Sequence, residues 1–143
     1  MKGGLDAEVV EARLRELSRR LKRLSSKKPA SLKQLVADED LQDIVSRNLE
    51  LAIQACVDVA AHVCGAHGMV PATAGDAFTM LGGAGLIQKA FGQRLRRAVG
   101  FRNLLVHEYA EVDWKIVLRV LERDTKDLAA FGKAMLALIE KEE

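Results

Sequence analysis

The chain has 143 residues, a formal net charge of +2, 49% hydrophobic residues and only 4% aromatic residues. This length fits one domain with a substantial core, and the nearly neutral charge excludes a global electrostatic field as the basis of nucleic-acid binding. Because helix-forming residues dominate and only two prolines interrupt them, the composition predicts an all-α fold.

The sequence has no feature of an exported or membrane-inserted protein. Residues 1–6 contain no apolar signal-peptide core, and no apolar run reaches the roughly 18 residues that a spanning helix needs. Cys56 and Cys64 fall in one helical stretch, about 12 Å apart along its axis, which is beyond the reach of a disulfide. We therefore expect reduced core thiols, no membrane partner and a soluble cytoplasmic protein.

Residues 6–24 are predicted to form the first helix, with Asp6 as its N-cap and an apolar stripe at helical spacing. Its other face is basic and carries Arg13, Arg15, Arg19, Arg20, Lys22 and Arg23. Such a face is ordinarily solvated, and contact with RNA or an acidic partner is the alternative. After a serine- and lysine-rich break, Ser31 is expected to cap a short helical turn that extends to Val36.

A second long helix is predicted from about Glu39 to His67, with a wide apolar face. A line of polar residues at spacings of seven, four and four shares another face: Arg47, Gln54, Asp58 and His62. Asp58 and His62 lie four apart, a spacing that permits a side-chain hydrogen bond on a helix. Two interpretations remain open at this point: an ordinary polar contact on or between helices, or the border of a functional site.

Two apparent ligand motifs are rejected. Cys64 and His67 have the spacing of a metal-ligand pair, but the chain lacks a second pair at zinc spacing. Residues 82–85 read Gly-Gly-Ala-Gly, but no strand precedes them and no Lys-Ser or Lys-Thr follows, so they do not form a phosphate loop. They are predicted to be a helix break after a short helix that Thr73 caps. No metal and no cofactor are expected.

The next helix is predicted from Leu86 to about Val106. The densest positive charge in the chain lies on it: Arg94, Arg96, Arg97 and Arg102. A solvated face is one explanation, and a path for the phosphates of RNA is the other. Asp113 is predicted to cap a last helix that ends near Ile139. Four main helices with short breaks predict a single antiparallel bundle of four or five helices over residues 1–143, with residues 1–5 and 140–143 frayed.

The most distinctive stretch is residues 102–109, which read RNLLVHEY and contain the only tyrosine of the chain. An arginine for phosphate charge, a histidine for proton transfer and a nearby phenol suit phosphodiester chemistry. Arg102 and His107 are about 140° apart around a helix. They converge only if the helix ends or distorts between them, or if a second copy of the chain completes the site. The alternative is a polar helix end whose groups cap and pair locally.

This stretch matches the R-x4-H-x-Y pattern of the HEPN-domain family and resembles its HepT toxins in particular. The similarity covers about residues 40–132 and includes RNLELAIQACVDVA at 47–60, FTML at 78–81 and VGFRN at 99–103. It implies a helical bundle that homodimerises, with motif residues of both subunits lining one cleft. It also implies a metal-independent ribonuclease that acts on RNA as the toxin of a two-component system.

The resemblance gives the motif residues their expected roles. His107 is the candidate acid or base, Arg102 is the candidate phosphate clamp, and Asn103 positions the substrate or orients the histidine. Outside the motif, Asp58 and His62 are expected to support the site. The residues expected to contact RNA are Arg94, Arg96 and Arg97.

The resemblance also implies a partner. The antitoxin of that family, MntA, is a small nucleotidyltransferase that silences the toxin by transferring AMP units onto the motif tyrosine, here Tyr109. An AMP chain two residues from His107 would fill an anion site with phosphate and exclude RNA. The alternative function, of a different class, is a non-catalytic nucleotide- or partner-binding subunit of a nucleotidyltransferase.

Overall fold

Helices joined by short connections form the part of the fold that the structure describes. The computed structural model describes residues 4–107 and 112–142, with the backbone alone of Val106 and His107. Within these ranges the helices are α1 (Ala7–Ser26), α2 (Leu32–Ala37), α3 (Glu39–Ala66), α4 (Ala74–Gly83), α5 (Lys89–His107) and α6 (Trp114–Glu142). The prediction of an all-α fold is confirmed, with four long helices and two short ones.

Capping side chains determine where the helices begin. The predicted caps of α1, α2, α4 and α6 all accept hydrogen bonds from backbone N–H groups of the first turn: Asp6, Ser31, Thr73 and Asp113. Asp38 caps α3 in the same way. The first backbone N–H groups of a helix have no carbonyl partner within the helix, and these side chains provide one. The capping residues in the local sequence therefore determine where each helix begins.

The break between α4 and α5 lies later than predicted. Helix α4 continues through Gly83, and Gly85 then reverses the chain with a φ of 76°. The backbone N–H of Leu86 donates to the Leu81 carbonyl oxygen at 3.0 Å and closes the end of α4. Helix α5 consequently begins at Lys89.

Helix α3 is the centre of the fold, because it packs against all five other helices. Contrary to the expectation from the sequence, α3 is long and apolar enough to cross a membrane by length and composition, but 56% of its most apolar window is buried inside the fold, as in a core helix. Cys56 and Cys64 are free and buried on this helix, and burial raises the pKa of both thiols. The prediction of unpaired thiols in the core is confirmed.

The two ends of the described chain are held by tertiary contacts. The Glu142 carboxylate lies 3.0 Å from Nε2 of His67, and Nδ1 of the same ring lies 3.0 Å from the Val63 carbonyl oxygen. At the other end, Leu5 is buried in the core. Long-range contacts therefore hold Leu5 and Glu142, although the local sequence gives no reason for these positions to be ordered.

Helices α4 and α5 approach closely at Gly92, and this contact can be tested. We expect Gly92→Ala to lower the free energy of unfolding by about 1–3 kcal/mol, because a Cβ there would lie 2.8 Å from the Phe78 carbonyl oxygen. Urea unfolding followed by circular dichroism measures the change.

Gly65→Ala is the matched control, since a Cβ at that helical position meets nothing within 4 Å. It should leave stability unchanged or raise it by up to about 1 kcal/mol. Equal losses in the two variants would contradict the close approach at Gly92.

Candidate active site

The distinctive 102–109 stretch begins on the last turns of α5, whose backbone stays helical through His107. The positions of Arg102 and His107 are therefore about 140° apart around one continuous helix. The sequence left two ways to bring these residues together: a helix that ends or distorts between them, or a second copy of the chain. The structure does not show the first. The His107 side chain and Tyr109 lie outside the described residues, so the structure does not test the roles predicted for them.

Arg102 is held by two neutral amides. Its Nη1 donates to Oε1 of Gln54 on α3 at 2.5 Å. Its Nε and Nη2 donate to Oδ1 of the neighbouring Asn103 at 3.3 and 2.7 Å. Asn103 therefore acts directly on the guanidinium of Arg102, and Gln54 ties the motif helix to the central helix.

The contacts continue along α3 away from Arg102. The Gln54 side-chain amide donates through Nε2 to Oδ1 of Asp58 at 2.8 Å. The other Asp58 oxygen lies 3.9 Å from Nη1 of Arg13 on α1. The predicted supporting residue Asp58 is thus linked to Arg102 through one intervening side chain, and three helices contribute to the network.

The hydrogen bond that the spacing of Asp58 and His62 permits does not form. Nε2 of His62 instead accepts the backbone N–H of Asp6 at 2.9 Å, at the start of α1. Within the described residues, His62 makes no hydrogen bond to the Arg102 network, and its bond to Asp6 helps to hold the start of α1. The supporting role expected for His62 stays a prediction.

Two of the three arginines expected to contact RNA make ion pairs inside the molecule. Arg94 lies 3.1 Å from the Asp127 carboxylate on α6, and its guanidinium carbon is 5.4 Å from the centroid of the Phe91 ring. Arg96 donates to Asp76 at 2.8 Å and to Thr79 at 3.0 Å, both on α4.

Arg97 is exposed on the same helix, and it makes no hydrogen bond or ion pair with any residue that the structure describes. The two paired arginines thus reach different helices, Arg94 to α6 and Arg96 to α4.

Arg102 combines side-chain hydrogen bonds with the lack of a carboxylate partner within the described residues. Carboxylates lie within ion-pair distance of six other arginines of the described chain: Arg13, Arg19, Arg20, Arg47, Arg94 and Arg96. No such pair involves Arg102 within the described ranges. Its amide partners orient the guanidinium without neutralising it, which is the arrangement that binding of a phosphate requires.

In the part of the chain that the structure describes, no group of three or more His, Cys, Asp or Glu side chains lies close enough together to bind a metal ion.

Gln54 is the functional residue that the sequence did not single out. Its position on the polar line of α3 was visible, but a helix face alone does not show which residue of another helix will lie opposite.

The all-α fold and the motif on α5 define a HEPN-type helical domain. The chain belongs to the HepT-like ribonuclease family, since the family model described as Ribonuclease HepT-like matches residues 12–135. The resemblance inferred from the sequence is confirmed.

Individual relatives agree with this family. The chain is 34% identical over 99 residues to the mRNA nuclease HepT of Shewanella oneidensis, which covers 68% of this chain and 74% of that protein. It is 28% identical over 110 residues to the tRNA nuclease HepT of Aphanizomenon flos-aquae, covering 76% of this chain and 75% of that one.

A solved structure extends the similarity to nearly the whole fold. It is a tri-AMPylated HEPN toxin of Shewanella oneidensis in complex with an MNT antitoxin. The two chains are 28% identical with a TM-score of 0.85, and the match covers 92% of this chain and 99% of that one.

The ion pair between Arg96 and Asp76 predicts a pH effect. The hydrogen bond from Arg96, helped by Thr73, holds the pKa of Asp76 below its usual range. A lowered pKa means that the pair is fully formed above the ordinary aspartate pKa and is lost as the pH falls through the lowered value. We expect Arg96→Gln to raise the Asp76 pKa, measured by carboxyl ¹³C NMR titration.

Arg94→Gln is the control for this titration, because Arg94 pairs with Asp127 on a different helix. It should leave the Asp76 curve unchanged. An Asp76 pKa that does not move in Arg96→Gln would show that the pair does not persist in solution.

Proposed function

We propose that this chain is the toxin of a two-component system and acts as a metal-independent endoribonuclease. The observation that carries the proposal is Arg102, whose charge is held in place by neutral amides on the motif helix of a HepT-like ribonuclease. A guanidinium in this state supplies a fixed positive charge for the phosphate of RNA. The nuclease names of the relatives agree with this activity, and they differ in the RNA that they name.

The chemistry assigned to the motif needs no metal. The 2′-hydroxyl of RNA attacks the adjacent phosphorus, and the bond to the 5′-oxygen of the next nucleotide breaks. His107 is proposed to transfer protons in this step, taking one from the nucleophile or giving one to the leaving oxygen. Arg102 is proposed to stabilise the charge that develops on the phosphorane oxygens, and Asn103 to orient Arg102.

The active form is proposed to be a homodimer. Helix α5 is continuous through His107, so Arg102 and His107 of one subunit do not share a helix face. A site that uses both groups is completed when the His107 of a second copy meets Arg102 across the interface. Two equivalent sites then follow from twofold symmetry.

The remaining arginines are proposed to guide RNA toward the motif. Arg97 is the strongest candidate, because it is exposed and makes no ion pair within the described residues. Arg94 and Arg96 are engaged in exposed ion pairs. Such pairs contribute little to stability, so RNA phosphates can compete for them.

The partner is proposed to be an MntA-like nucleotidyltransferase antitoxin that modifies Tyr109. In that step the phenol oxygen attacks the α-phosphorus of ATP, a new oxygen–phosphorus bond forms, and pyrophosphate leaves with the adenylate bonded to tyrosine. The solved HEPN toxin that this chain resembles is tri-AMPylated and bound to an MNT antitoxin. Added phosphates beside Arg102 and His107 would occupy the anion site and exclude RNA.

The protein is proposed to work in the cytoplasm. The helix that is long and apolar enough to span a membrane is the core of the fold, and the two cysteines are buried and unpaired. Buried free thiols fit a reducing compartment, where the RNA substrates are also found.

The ribonuclease proposal predicts a specific pattern of activity. Purified protein without adducts should cleave single-stranded RNA in the presence of EDTA. Arg102→Ala and His107→Ala should each reduce the rate at least about 100-fold, because each removes one of the groups assigned to the transition state. A mixture of the two variants, refolded together, should recover part of the activity, because one site of a mixed dimer then carries both groups.

Gel analysis of cleavage and size-exclusion chromatography with light scattering provide the measurements. Absence of cleavage by the adduct-free wild type, with tight binding to a nucleotidyltransferase, would favour the non-catalytic subunit instead. Full activity in either single variant would contradict the assigned roles. If mixing the two variants does not raise the activity above that of each variant alone, the site is not shared between subunits.

The regulatory proposal predicts a change in mass. After coexpression with its nucleotidyltransferase and ATP, the chain should gain whole AMP units, and peptide mapping should place them on Tyr109. Tyr109→Phe should gain none, because it lacks the phenol oxygen that forms the bond. The same variant should remain toxic in the presence of the antitoxin, and adducts mapped to another residue would contradict the assignment.

A further inference from the structure

The polar line on α3 lies within a buried stretch. From Ala52 to Ala60, only Gln54 and Asp58 are not buried. Every other position in that stretch belongs to the hydrophobic core. Because packed cores permit little displacement, Gln54 and Asp58 project from a backbone that is fixed relative to the rest of the fold.

The orientation of the Gln54 amide follows from its partners. A guanidinium only donates hydrogen bonds and a carboxylate only accepts them. The amide oxygen must therefore face Arg102, at 2.5 Å, and the amide nitrogen must face Asp58, at 2.8 Å. Asp58 thus prevents the amide from turning its nitrogen toward Arg102, where two donors would repel each other.

The guanidinium of Arg102 keeps both its charge and part of its donor capacity. Three of its contacts go to amide oxygens of Gln54 and Asn103. An arginine side chain has five N–H donors, so two have no partner among the described residues and can bind an incoming anion. A carboxylate in place of Gln54 would make a similar hydrogen bond but would cancel the charge that attracts phosphate.

We propose that Gln54, oriented by Asp58, is a positioning residue that fixes the Arg102 guanidinium for RNA phosphate while leaving its charge uncompensated. The role in cleavage rests on the ribonuclease function proposed above, whereas the fixing of Arg102 does not. Gln54 acts from outside the motif helix. Its contribution is to couple the motif to the rigid core through a neutral group.

Two substitutions separate the two parts of this role. Gln54→Leu removes the hydrogen bond and keeps a side chain of similar size, so Arg102 loses its tether to α3 and keeps only its contacts with Asn103. Gln54→Glu keeps an acceptor for Arg102 and adds a negative charge. The matched control is Gln93→Leu, since Gln93 is an exposed glutamine of α5 that makes no side-chain hydrogen bond within the described residues.

Arginine side-chain ¹⁵N NMR of the full chain tests the tether without any nuclease assay. The Arg102 guanidinium, assigned by its loss in Arg102→Lys, should show hindered rotation in the wild type, in Gln54→Glu and in Gln93→Leu. In Gln54→Leu the rotation should become fast. Identical Arg102 signals in the wild type and Gln54→Leu would overturn the proposal, whatever the nuclease result.

Binding and cleavage then test the charge. With a 2′-O-methyl RNA oligonucleotide that resists cleavage, Gln54→Glu should weaken binding about tenfold. It should also lower the slope of log K against log salt by about one, because one phosphate contact is lost. With a cleavable RNA, Gln54→Leu should lower kcat about tenfold with a smaller change in KM, because the clamp is present but less often in place.

Double variants of Gln54 and Arg102 show whether the two residues act together. In the Arg102→Ala background, neither Gln54 variant should change RNA affinity further, because Gln54 acts only through Arg102. Additive losses in that background would overturn the proposal. If the wild type neither binds nor cleaves RNA, the ribonuclease function fails, and the NMR result still decides whether Gln54 fixes Arg102.

Discussion

Burial of α3 is the constraint on which the rest of the structure depends. The other five helices pack around it, and its positions between residues 52 and 60 are buried except for two. A helix that is apolar on nearly all sides is stable only when other elements cover it. The packing that covers α3 also places α1, α4, α5 and α6 around a fixed axis, and thereby fixes where the motif helix meets the core.

The two polar exceptions on α3 connect stability with function. Gln54 and Asp58 lie where α1 and α5 reach the central helix. Hydrogen bonds join Asp58 to Gln54 and Gln54 to Arg102, and Asp58 lies at ion-pair distance from Arg13 on the other side. Polar groups at a packed seam specify geometry more than they add stability. Here they specify the orientation of a cation that remains uncompensated within the described residues, which is a suitable arrangement for an anionic substrate.

The molecule uses its arginines in two distinct ways. Arg94 and Arg96 brace α5 against α6 and α4 through carboxylates, so their charge is partly satisfied within the fold. Arg102 has amide partners and keeps its charge. A sequence alone presents these residues as one basic run, because the partners that separate them lie on other helices, 20 to 48 residues away in the chain.

The sequence by itself determined the all-α class, four of the helix caps and the family motif, because helical periodicity, capping and motif spacing are local properties. It placed Gln54, Asp58 and His62 on one helix face, but it did not show that Asp58 joins the Arg102 network while His62 holds the start of α1. It also failed to show that Glu142 and Leu5 are held. Only the tertiary structure decided these points, since each depends on which residue of a distant segment packs opposite. Helix geometry predicted from the sequence that Arg102 and His107 point in different directions. The structure shows that α5 is continuous through His107, so the helix itself does not bring the two positions together.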